Sequence, residues 1–206
     1  MEKQERKERE FQTRRAEIME QAERAFSAKG FHNVTMAEIA NGSGFSIGSL
    51  YSYFPGKEQL YAAMIGEKLD LMYVRIREEV ANAQDITEKI AKLIEAHFHF
   101  VEENADFCRL ILRGDNVPIS DAMTLLRRKM LEGYFEHLAF IEGLLQSGAQ
   151  SGFFRPVSLR DVAALLFGLI RSTSIDWMIQ PQNESLGSKK DFILKAFLRG
   201  VQKNEE

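Results

Sequence analysis

The stretch Thr35–Lys57 reads TMAEIANGSGFSIGSLYSYFPGK and decides the fold of the first part of the chain. Thr35 followed by Glu38 forms a capping box, so a helix is predicted to begin at this point. Asn41–Gly44 contains two glycines, which supply the positive φ that a sharp turn between helices requires. Ser46 is a good N-cap for a second helix, which a Pro-Gly pair then ends. Two short helices joined by a tight turn are typical of a helix-turn-helix unit.

The second of these helices is predicted to present small and hydroxyl-bearing groups to its surroundings. Leu50 and Phe54 anchor it in a core shared with Phe45. The outward positions are then Ser46, Gly48, Ser49, Ser52 and parts of Tyr51 and Tyr53. Hydroxyls and helix N-terminal amides suit phosphate oxygens, and Tyr51 or Ile47 is suited to a thymine methyl in the major groove. The pattern therefore predicts contact with duplex DNA.

A wider set of residues from Arg14 to Leu60 forms a recognisable pattern. Its members are Ala25-Phe26, Gly30-Phe31, Thr35, Ile39-Ala40, Gly44-Phe45-Ser46, Gly48-Ser49-Leu50-Tyr51-Ser52-Tyr53-Phe54, Lys57-Glu58 and Leu60. With this pattern the stretch resembles the DNA-binding domain of the tetracycline-repressor (TetR) family. The resemblance implies an all-α fold, in which a three-helix helix-turn-helix domain is joined by a long helix to a C-terminal helical bundle that dimerises and usually binds a small effector.

The resemblance also implies roles for single residues. Positions that touch phosphates correspond to Thr35, Ser49, Tyr53 and Lys57, and positions that meet base edges correspond to Ile47, Gly48 and Tyr51. Three residues depart from the family pattern: Ala37 stands where some members place a base-reading Arg, Ile47 where a polar or basic residue is frequent, and Phe45 where Val is usual. We therefore expect more reliance on backbone positioning and DNA shape. A place in the core remains an alternative for Tyr51.

The charge balance argues against indiscriminate binding to polyanions. The 206 residues carry a formal net charge of −3, with nine basic against eight acidic residues in 1–57 and fifteen against seventeen in 85–206. DNA contact must then depend on where the charges lie. We expect Arg14, Arg15 and Lys57 to line the phosphate face. The acidic residues expected to point away are Glu17, Glu20 and Glu23.

Cysteine content and the start of the chain bear on the compartment. Cys108 is the single cysteine, which rules out an internal disulfide and fits a reducing cytoplasm. We interpret it as a buried small residue rather than a redox sensor. The charged start of the chain does not resemble a signal peptide, and no apolar run near the length of a membrane span is expected. The cytoplasm is the expected location.

Helical periodicity predicts three segments. Residues 1–57 hold a frayed, charged tail of about ten residues, a helix from near Thr13 to Lys29 capped by Gly30, and the helix-turn-helix. Residues 58–84 form a connecting helix that starts near Lys57, and residues 85–206 form an effector-binding and dimerisation domain. The helices predicted there run from Asp85 to Asn104, Phe107 to Leu112, Ser120 to Ser151, Val162 to Ile179 and Lys189 to Val201.

The last two helices predict a dimer seam. Val162–Ile179 is apolar nearly all the way round in its first half, and Lys189–Val201 has two apolar flanks. One flank runs through Phe192, Ala196 and Phe197, and the other runs through Leu194, Leu198 and Val201. Both helices must be covered on two sides, which pairing with symmetry mates in a four-helix homodimer seam would achieve. A deep core within one chain is the alternative.

Effector-site candidates come from the aromatic residues of 85–206. Those able to line an apolar pocket between helices are Phe98, Phe107, Tyr134, Phe167 and Trp177, although each can equally be packing. Arg171 interrupts the most apolar helix and either binds an acidic effector or pairs with an acidic residue in the seam. His97 and His99 lie about 200° apart around a helix, so they cannot share a metal ion. No metal site and no cofactor is expected.

Three functions compete at this point. The leading hypothesis is a repressor whose dimer reads a pseudo-palindromic operator and is released by an apolar or amphipathic small molecule. A DNA-organising protein with the same DNA-binding part and a solid body is the second. An enzyme is the weakest, because the sequence contains no nucleophile elbow, phosphate-binding Gly loop, metal-ligand cluster or converging carboxylates.

Overall fold

The computed structural model of the chain describes residues 2–180 and 184–203, and within these ranges the regular elements are helical. The α-helices are α1 Glu2–Lys29, α2 Met36–Gly42, α3 Ile47–Tyr53, α4 Lys57–Ala81, α5 Ile86–Glu103, α6 Ala105–Arg113, α7 Asp121–Gln150, α8 Leu159–Ile179 and α9 Lys190–Val201. A short 3-10 helix, Leu186–Lys189, precedes α9. The all-α fold class is confirmed, and the predicted helices of 85–206 are all present.

The helices pack into two compact units. The head unit comprises the chain up to Leu69 together with Asp106–Met130, and the body unit comprises Asp70–Ala105 together with the chain from Leu131 onward. The helices α4 and α7 each contribute residues to both units. The predicted boundaries at 57 and 84 follow the order of the sequence, whereas the observed packing interleaves two stretches in each unit.

The start of α1 differs from the sequence prediction. Residues 2–12 were expected to lie in a frayed tail or just before the helix, but α1 begins at Glu2. Residues 4–10 are exposed, as a solvated segment should be. Pairs one turn apart support the helix, since Arg6 contacts Glu10 at 3.2 Å and Gln12 donates to Glu8 at 2.8 Å. Extending an already nucleated helix costs little, so weak pairs suffice to continue it.

The predicted caps are confirmed. Gly30 ends α1 with a φ of 79°. The hydroxyl of Thr35 accepts the amide N–H of Glu38, and the hydroxyl of Ser46 accepts that of Ser49 at 3.1 Å. Gly44 has a φ of 75°, which turns the chain between α2 and α3. These local signals fix where the two short helices begin and how they are joined.

Two buried polar links hold the α1–α2 connection in the head unit. The ammonium of Lys57 donates to the carbonyls of Phe31 and Val34, each at 2.9 Å, and lies 4.3 Å from the centroid of the Phe31 ring. The carboxylate of Asp115 accepts the amide N–H of Phe31 at 2.6 Å and the Nε–H of Arg113 at 2.8 Å. The connection is thereby tied to the start of α4 and to the loop after α6.

The body unit has a continuous apolar core. Buried members from four helices and from the segment before α8 include Ile90, Leu93, Phe98, Leu138, Ile141, Leu145, Phe154, Leu166, Ile170, Ile193 and Phe197. The helix α5 packs against both α8 and α9. The side chain of Arg155 donates to the carbonyls of Arg199, Gly200 and Gln202, which closes the C-terminal end of α9.

The helix α8 buries one side and leaves apolar residues on another. Its buried residues include Val162, Ala163, Leu166, Phe167 and Ile170. Leu165 is 50% exposed and Ile179 is 63% exposed. The single chain therefore buries one side of this helix in its own core and leaves another side open. The most apolar 18 residues of α8 have a mean hydropathy of 1.4, so by length and composition alone this helix is a candidate membrane span, which the sequence analysis did not anticipate.

The helix α9 buries only part of each predicted apolar flank. Ile193, Phe197 and Val201 are buried, while Phe192 is 70% exposed and Ala196 is also exposed. Leu194 and Leu198 are half-buried and pack on the body core. Both flanks predicted from the sequence are therefore partly open, and the buried stripe consists of Ile193 with one residue from each flank, Phe197 and Val201.

The Lys57 link gives a stability prediction. Lys57→Met keeps the length of the side chain but leaves the carbonyls of Phe31 and Val34 without their donor. We expect the free energy of unfolding to fall by about 1 to 3 kcal/mol, as for other part-buried groups that lose a partner. Urea unfolding followed by circular dichroism measures this. Lys7→Met, on the exposed part of α1, should change it by less than about 0.5 kcal/mol, and equal losses in the two variants would contradict the prediction.

Candidate nucleic-acid interface and effector site

The helix α3 presents one open face. Leu50 is fully buried on its inner side. Ile47 is 47% exposed and Tyr51 is 48% exposed, and Gly48 and Ser52 are exposed beside them. A Cβ at Gly48 would meet nothing within 4 Å, so another molecule can approach the backbone closely at that position. The exposure of Tyr51 also shows that the core alternative for this ring does not hold.

The ring of Tyr53 supports this face from the side. Tyr53 is half-buried and stacks on Phe11 of α1, with centroids 4.7 Å apart and planes at 27°. Phe45, which replaces a smaller residue, lies 6.3 Å from the same ring. Phe11 lies between the predicted charged tail and the first predicted helix, and the sequence analysis assigns it no role. The signal that could have revealed this role is an aromatic residue next to the helix that packs over the helix-turn-helix.

Some residues predicted to contact phosphate are exposed, whereas others already form hydrogen bonds within the head unit. Thr35 and Arg14 are exposed, although the Thr35 hydroxyl also caps α2. Ser49 is half-buried near the start of α3. Two N–H groups of the Lys57 ammonium are used within the head, so one remains for a phosphate. Phosphate contact by these residues stays a prediction.

Arg15 does not fit the predicted phosphate face. Its guanidinium forms a two-pronged pair with the carboxylate of Glu67 on α4 and lies 5.1 Å from the centroid of the Phe54 ring. The pKa of Arg15 is raised, first by the hydrogen bond to Glu67. Glu17 and Glu20 are exposed, whereas Glu23 pairs with Lys68 at 3.1 Å. Arg15 and Lys68 therefore hold α1 and α4 together within the head.

The effector candidates are only partly brought together. Tyr134 lies 5.8 Å from Phe167, and the guanidinium of Arg171 lies over both rings at 5.9 and 5.8 Å. Phe98 is fully buried in the body core. Phe107 belongs to the head unit, where the ammonium of Lys68 lies 5.7 Å from its ring. The indole N–H of Trp177 donates to the carbonyl of Glu184 at 2.9 Å. The aromatic grouping thus centres on Phe167.

A buried histidine pair, His97 and His137, packs against Phe167 in this grouping, and the sequence analysis does not predict it. Nε2 of His97 lies 3.0 Å from Nε2 of His137, and Nδ1 of His97 donates to the carbonyl of Leu93 at 2.7 Å. His137 is 0% exposed. The His137 ring lies 5.0 Å from Phe167 and stacks on Tyr73 with centroids 4.8 Å apart. The sequence does not single out His137, because a lone His on an apolar helix gives no signal by spacing.

Burial determines the charge state of the pair. Burial lowers the pKa of His97 to about 4. Burial and the neighbouring His97 lower the pKa of His137 to about 3. Both rings are therefore neutral at physiological pH. A glycine makes room for the cluster, since a Cβ at Gly133 would lie 3.2 Å from the Tyr73 ring.

Two further titratable residues considered from the sequence, His99 and Cys108, lie outside the histidine pair. His99 is exposed, and its Nε2 lies 3.2 Å from a carboxylate oxygen of Glu103. Among the residues that the structure describes, no three His, Cys, Asp or Glu side chains come together as metal ligands. Cys108 is half-buried, and burial raises the pKa of its thiol to about 11. Its thiolate form is therefore scarce at neutral pH.

Comparison with known families gives two matches. Residues 18–64 match the family described as bacterial regulatory proteins, tetR family. Residues 65–200 match the family described as YsiA-like protein, C-terminal region. The first match contains the whole helix-turn-helix, and the second contains the whole body unit up to α9.

Similar proteins cover most of the chain. The fatty acid metabolism regulator protein of Bacillus subtilis is 25% identical over 189 residues, covering 90% of this chain and 94% of its own. The HTH-type transcriptional repressor KstR2 of Mycobacterium tuberculosis is 27% identical over 173 residues, covering 80% and 81%. Among solved structures, the transcriptional regulator FadR from Bacillus subtilis in complex with stearoyl-CoA has a TM-score of 0.76 at 23% identity, covering 90% and 98%.

The exposed face of α3 gives a prediction on sequence preference. Tyr51→Ala should change which duplexes are selected from a random DNA pool, because the variant lacks an exposed ring that we expect to meet base edges. Tyr134→Phe, in the body unit, is the control and should select the same sequences as wild type. Identical preferences for wild type and the Tyr51 variant would show that this ring does not meet bases.

The histidine pair gives a prediction on pH. Above the ordinary pKa of 6.5 both rings are neutral whether the chain is folded or unfolded. Below it, the unfolded chain takes up protons that the folded chain excludes, so stability falls as pH falls toward the lowered folded pKa values. Between pH 7 and pH 5, the free energy of unfolding should fall by about 2 kcal/mol more in wild type than in His137→Phe.

Urea unfolding at the two pH values measures this difference. His99→Gln, which alters the exposed pair with Glu103, is the matched control and should keep the wild-type pH dependence apart from a small surface effect. A His137→Phe variant that loses as much stability as wild type between pH 7 and pH 5 would mean that the pair titrates normally.

Proposed function

Because the chain belongs to the TetR family of bacterial regulatory proteins, we propose that it is a repressor released from a pseudo-palindromic operator by an apolar or amphipathic small molecule. The chain is a DNA-binding transcription regulator. The single observation that carries the proposal is the face of α3, where Ile47, Gly48 and Tyr51 are open while Leu50 holds the helix from behind. A bacterial cytoplasm, where operator DNA lies, is the proposed location.

We propose that two copies pair through their last two helices, so that the homodimer reads two half-sites. Leu165 and Ile179 on α8 and Phe192 on α9 are large apolar side chains that the single chain leaves half-exposed or more. Gly168 on α8 is exposed, and a Cβ there would meet nothing within 4 Å of the same chain. Covering these residues with the same faces of a second copy would remove apolar area from water.

The effector is proposed to be an apolar chain with a polar end. FadR of Bacillus subtilis, whose fold this chain shares, has been solved in complex with stearoyl-CoA, a long acyl chain on a charged carrier. In this chain, the aromatic grouping of Tyr134 and Phe167 offers apolar contacts, and the guanidinium of Arg171 lies over both rings. Arg171 is exposed beside these rings, and we propose that it meets the acidic group of the effector; pairing with an acidic residue of the dimer seam is the alternative role.

The proposed coupling runs through α4. This helix extends without interruption from Lys57 to Ala81 and contributes Lys57 to the head unit and Tyr73 to the body unit. An effector that moves Tyr73 would bias the arrangement of α4 and thereby the spacing of the two α3 helices in a dimer. Half-sites one helical turn apart tolerate little change in that spacing.

The test begins by selecting duplexes from a random pool with the purified protein. Stearoyl-CoA is then added to the complex of protein and selected operator. We expect operator affinity to fall, and affinity for stearoyl-CoA to fall by the same factor when operator is bound, because the coupling is reciprocal. Octanoyl-CoA, with the same carrier and a short chain, is the control and should release the operator less. Stearoyl-CoA that binds without changing operator affinity would remove the proposed mechanism and favour a DNA-organising role.

The dimer gives a separate prediction. Leu165→Glu places a charge on the open face of α8 and should shift the protein from dimer to monomer in sedimentation velocity, with loss of operator binding. Ile119→Glu is the matched control, because Ile119 is an exposed apolar residue of the head unit outside α8 and α9. A Leu165→Glu protein that stays dimeric would place the seam elsewhere.

A further inference from the structure

The tautomers of the histidine pair follow from its hydrogen bonds. The carbonyl of Leu93 only accepts, so Nδ1 of His97, 2.7 Å away, carries a proton. A neutral His97 then has a bare lone pair on Nε2. Nε2 of His137 lies 3.0 Å from that lone pair and must be the donor. A neutral His137 that is protonated on Nε2 has no proton on Nδ1.

Nδ1 of His137 is consequently a buried acceptor that lacks a donor. The atom has no hydrogen-bond partner among the described residues, and bulk water cannot supply one because the residue is 0% exposed. The aromatic rings around it cannot supply one from their faces: Phe140 stacks 5.9 Å away and Phe167 packs edge-on 5.0 Å away. Such an orphaned acceptor is costly, and its cost disappears when a donor arrives.

The surroundings limit the chemistry of that donor. Every ring that packs on His137 is apolar or amphipathic: Tyr73, His97, Phe140 and Phe167. The charged groups nearby are two guanidinium groups, with Arg77 5.7 Å from the Phe140 ring and Arg171 over Tyr134 and Phe167, and the carboxylate of Asp70, whose charge acts on Tyr73. After burial and His97, Arg77 is the charged side chain that lowers the pKa of His137 itself, so a cationic donor would meet repulsion there and a neutral donor on an apolar body fits best.

We propose that Nδ1 of His137 is a specificity-determining acceptor for the effector, and that it selects an apolar chain or ring that carries a hydroxyl group. The proposal rests on the proposed function, since it assumes that the effector enters the aromatic grouping of the body unit. A fully apolar ligand packed against His137 leaves the acceptor unpaired. A hydroxyl at the same place pairs it, and sites that hydrogen-bond a ligand hydroxyl discriminate strongly against analogues without it.

The test compares ligands that differ by one functional group. The probes are stearoyl-CoA, its hydroxystearoyl-CoA isomers with the hydroxyl at carbon 3, 10 or 12, and the corresponding oxo compounds, which accept but cannot donate. Isothermal titration calorimetry measures binding to wild type, His137→Phe and the control His99→Gln. Wild type should bind at least one hydroxy isomer about tenfold more tightly than stearoyl-CoA, whereas the matching oxo compound should show no such gain.

The variants identify the atom responsible. In His137→Phe the preference for the hydroxy isomer should disappear, because phenylalanine fills the volume of the ring without the acceptor. In His99→Gln, which changes an exposed residue on the same helix as His97, the preference should remain. An unchanged preference in His137→Phe, equal binding of all probes by wild type, or binding of none of them would each overturn the proposal.

A second measurement uses the wild-type protein and does not depend on a variant that folds. Nitrogen NMR of the 15N-labelled histidine side chains should show His137 protonated on Nε2 and bare on Nδ1, and the Nδ1 signal should move when the preferred hydroxy isomer binds. A proton on Nδ1 in the free protein would contradict the assignment. Failure of the proposed function gives a different pattern: preference for the hydroxyl would persist while no probe changed operator affinity.

Discussion

A seven-residue helix does not hold its shape alone in water, and this constraint shapes the head of the molecule. The helix α3 has to be stabilised from behind and at its ends so that its front can stay open. Leu50 and Phe54 supply the buried anchor, Ser46 supplies the cap, and the Tyr53 ring rests on Phe11. Polar links made by Lys57 and Asp115 then fix the chain that leads into the helix pair. Each of these contacts leaves Ile47, Gly48 and Tyr51 available to a duplex.

The body unit has to accommodate a polar pair of side chains, His97 and His137, inside an apolar core. Two imidazoles can be buried at low cost only if both stay neutral and every lone pair and proton finds a partner. His97 satisfies both of its nitrogens, and His137 satisfies one. This imbalance lies beside Phe167, whose ring Arg171 also contacts, and the proposed effector site is built on it.

Much of the fold could be predicted from the sequence, because its signals are local. Capping residues such as Thr35, Ser46, Asp85 and Ser158, together with helical periodicity, place most helix boundaries within a few residues. Long-range partners carry no such signal. The sequence positions of Arg15 and Lys57 do not show that Arg15 pairs with Glu67 or that Lys57 donates to two backbone carbonyls. Likewise, nothing near His137 in the sequence shows that it forms a hydrogen bond with His97, forty positions away. The interleaving of two stretches in each unit is likewise a property of packing alone.

The central claim is that the open face of α3 meets DNA bases, and photocrosslinking tests it most directly. A photoreactive phenylalanine analogue in place of Tyr51, irradiated on the duplex that the protein selects, should attach to a base within each half-site. The same analogue in place of Ile119, which is exposed in the head unit away from α3, serves as the control and should attach weakly or to no fixed position. Attachment from Ile119 with none from Tyr51, on a duplex that the protein binds, would contradict the account.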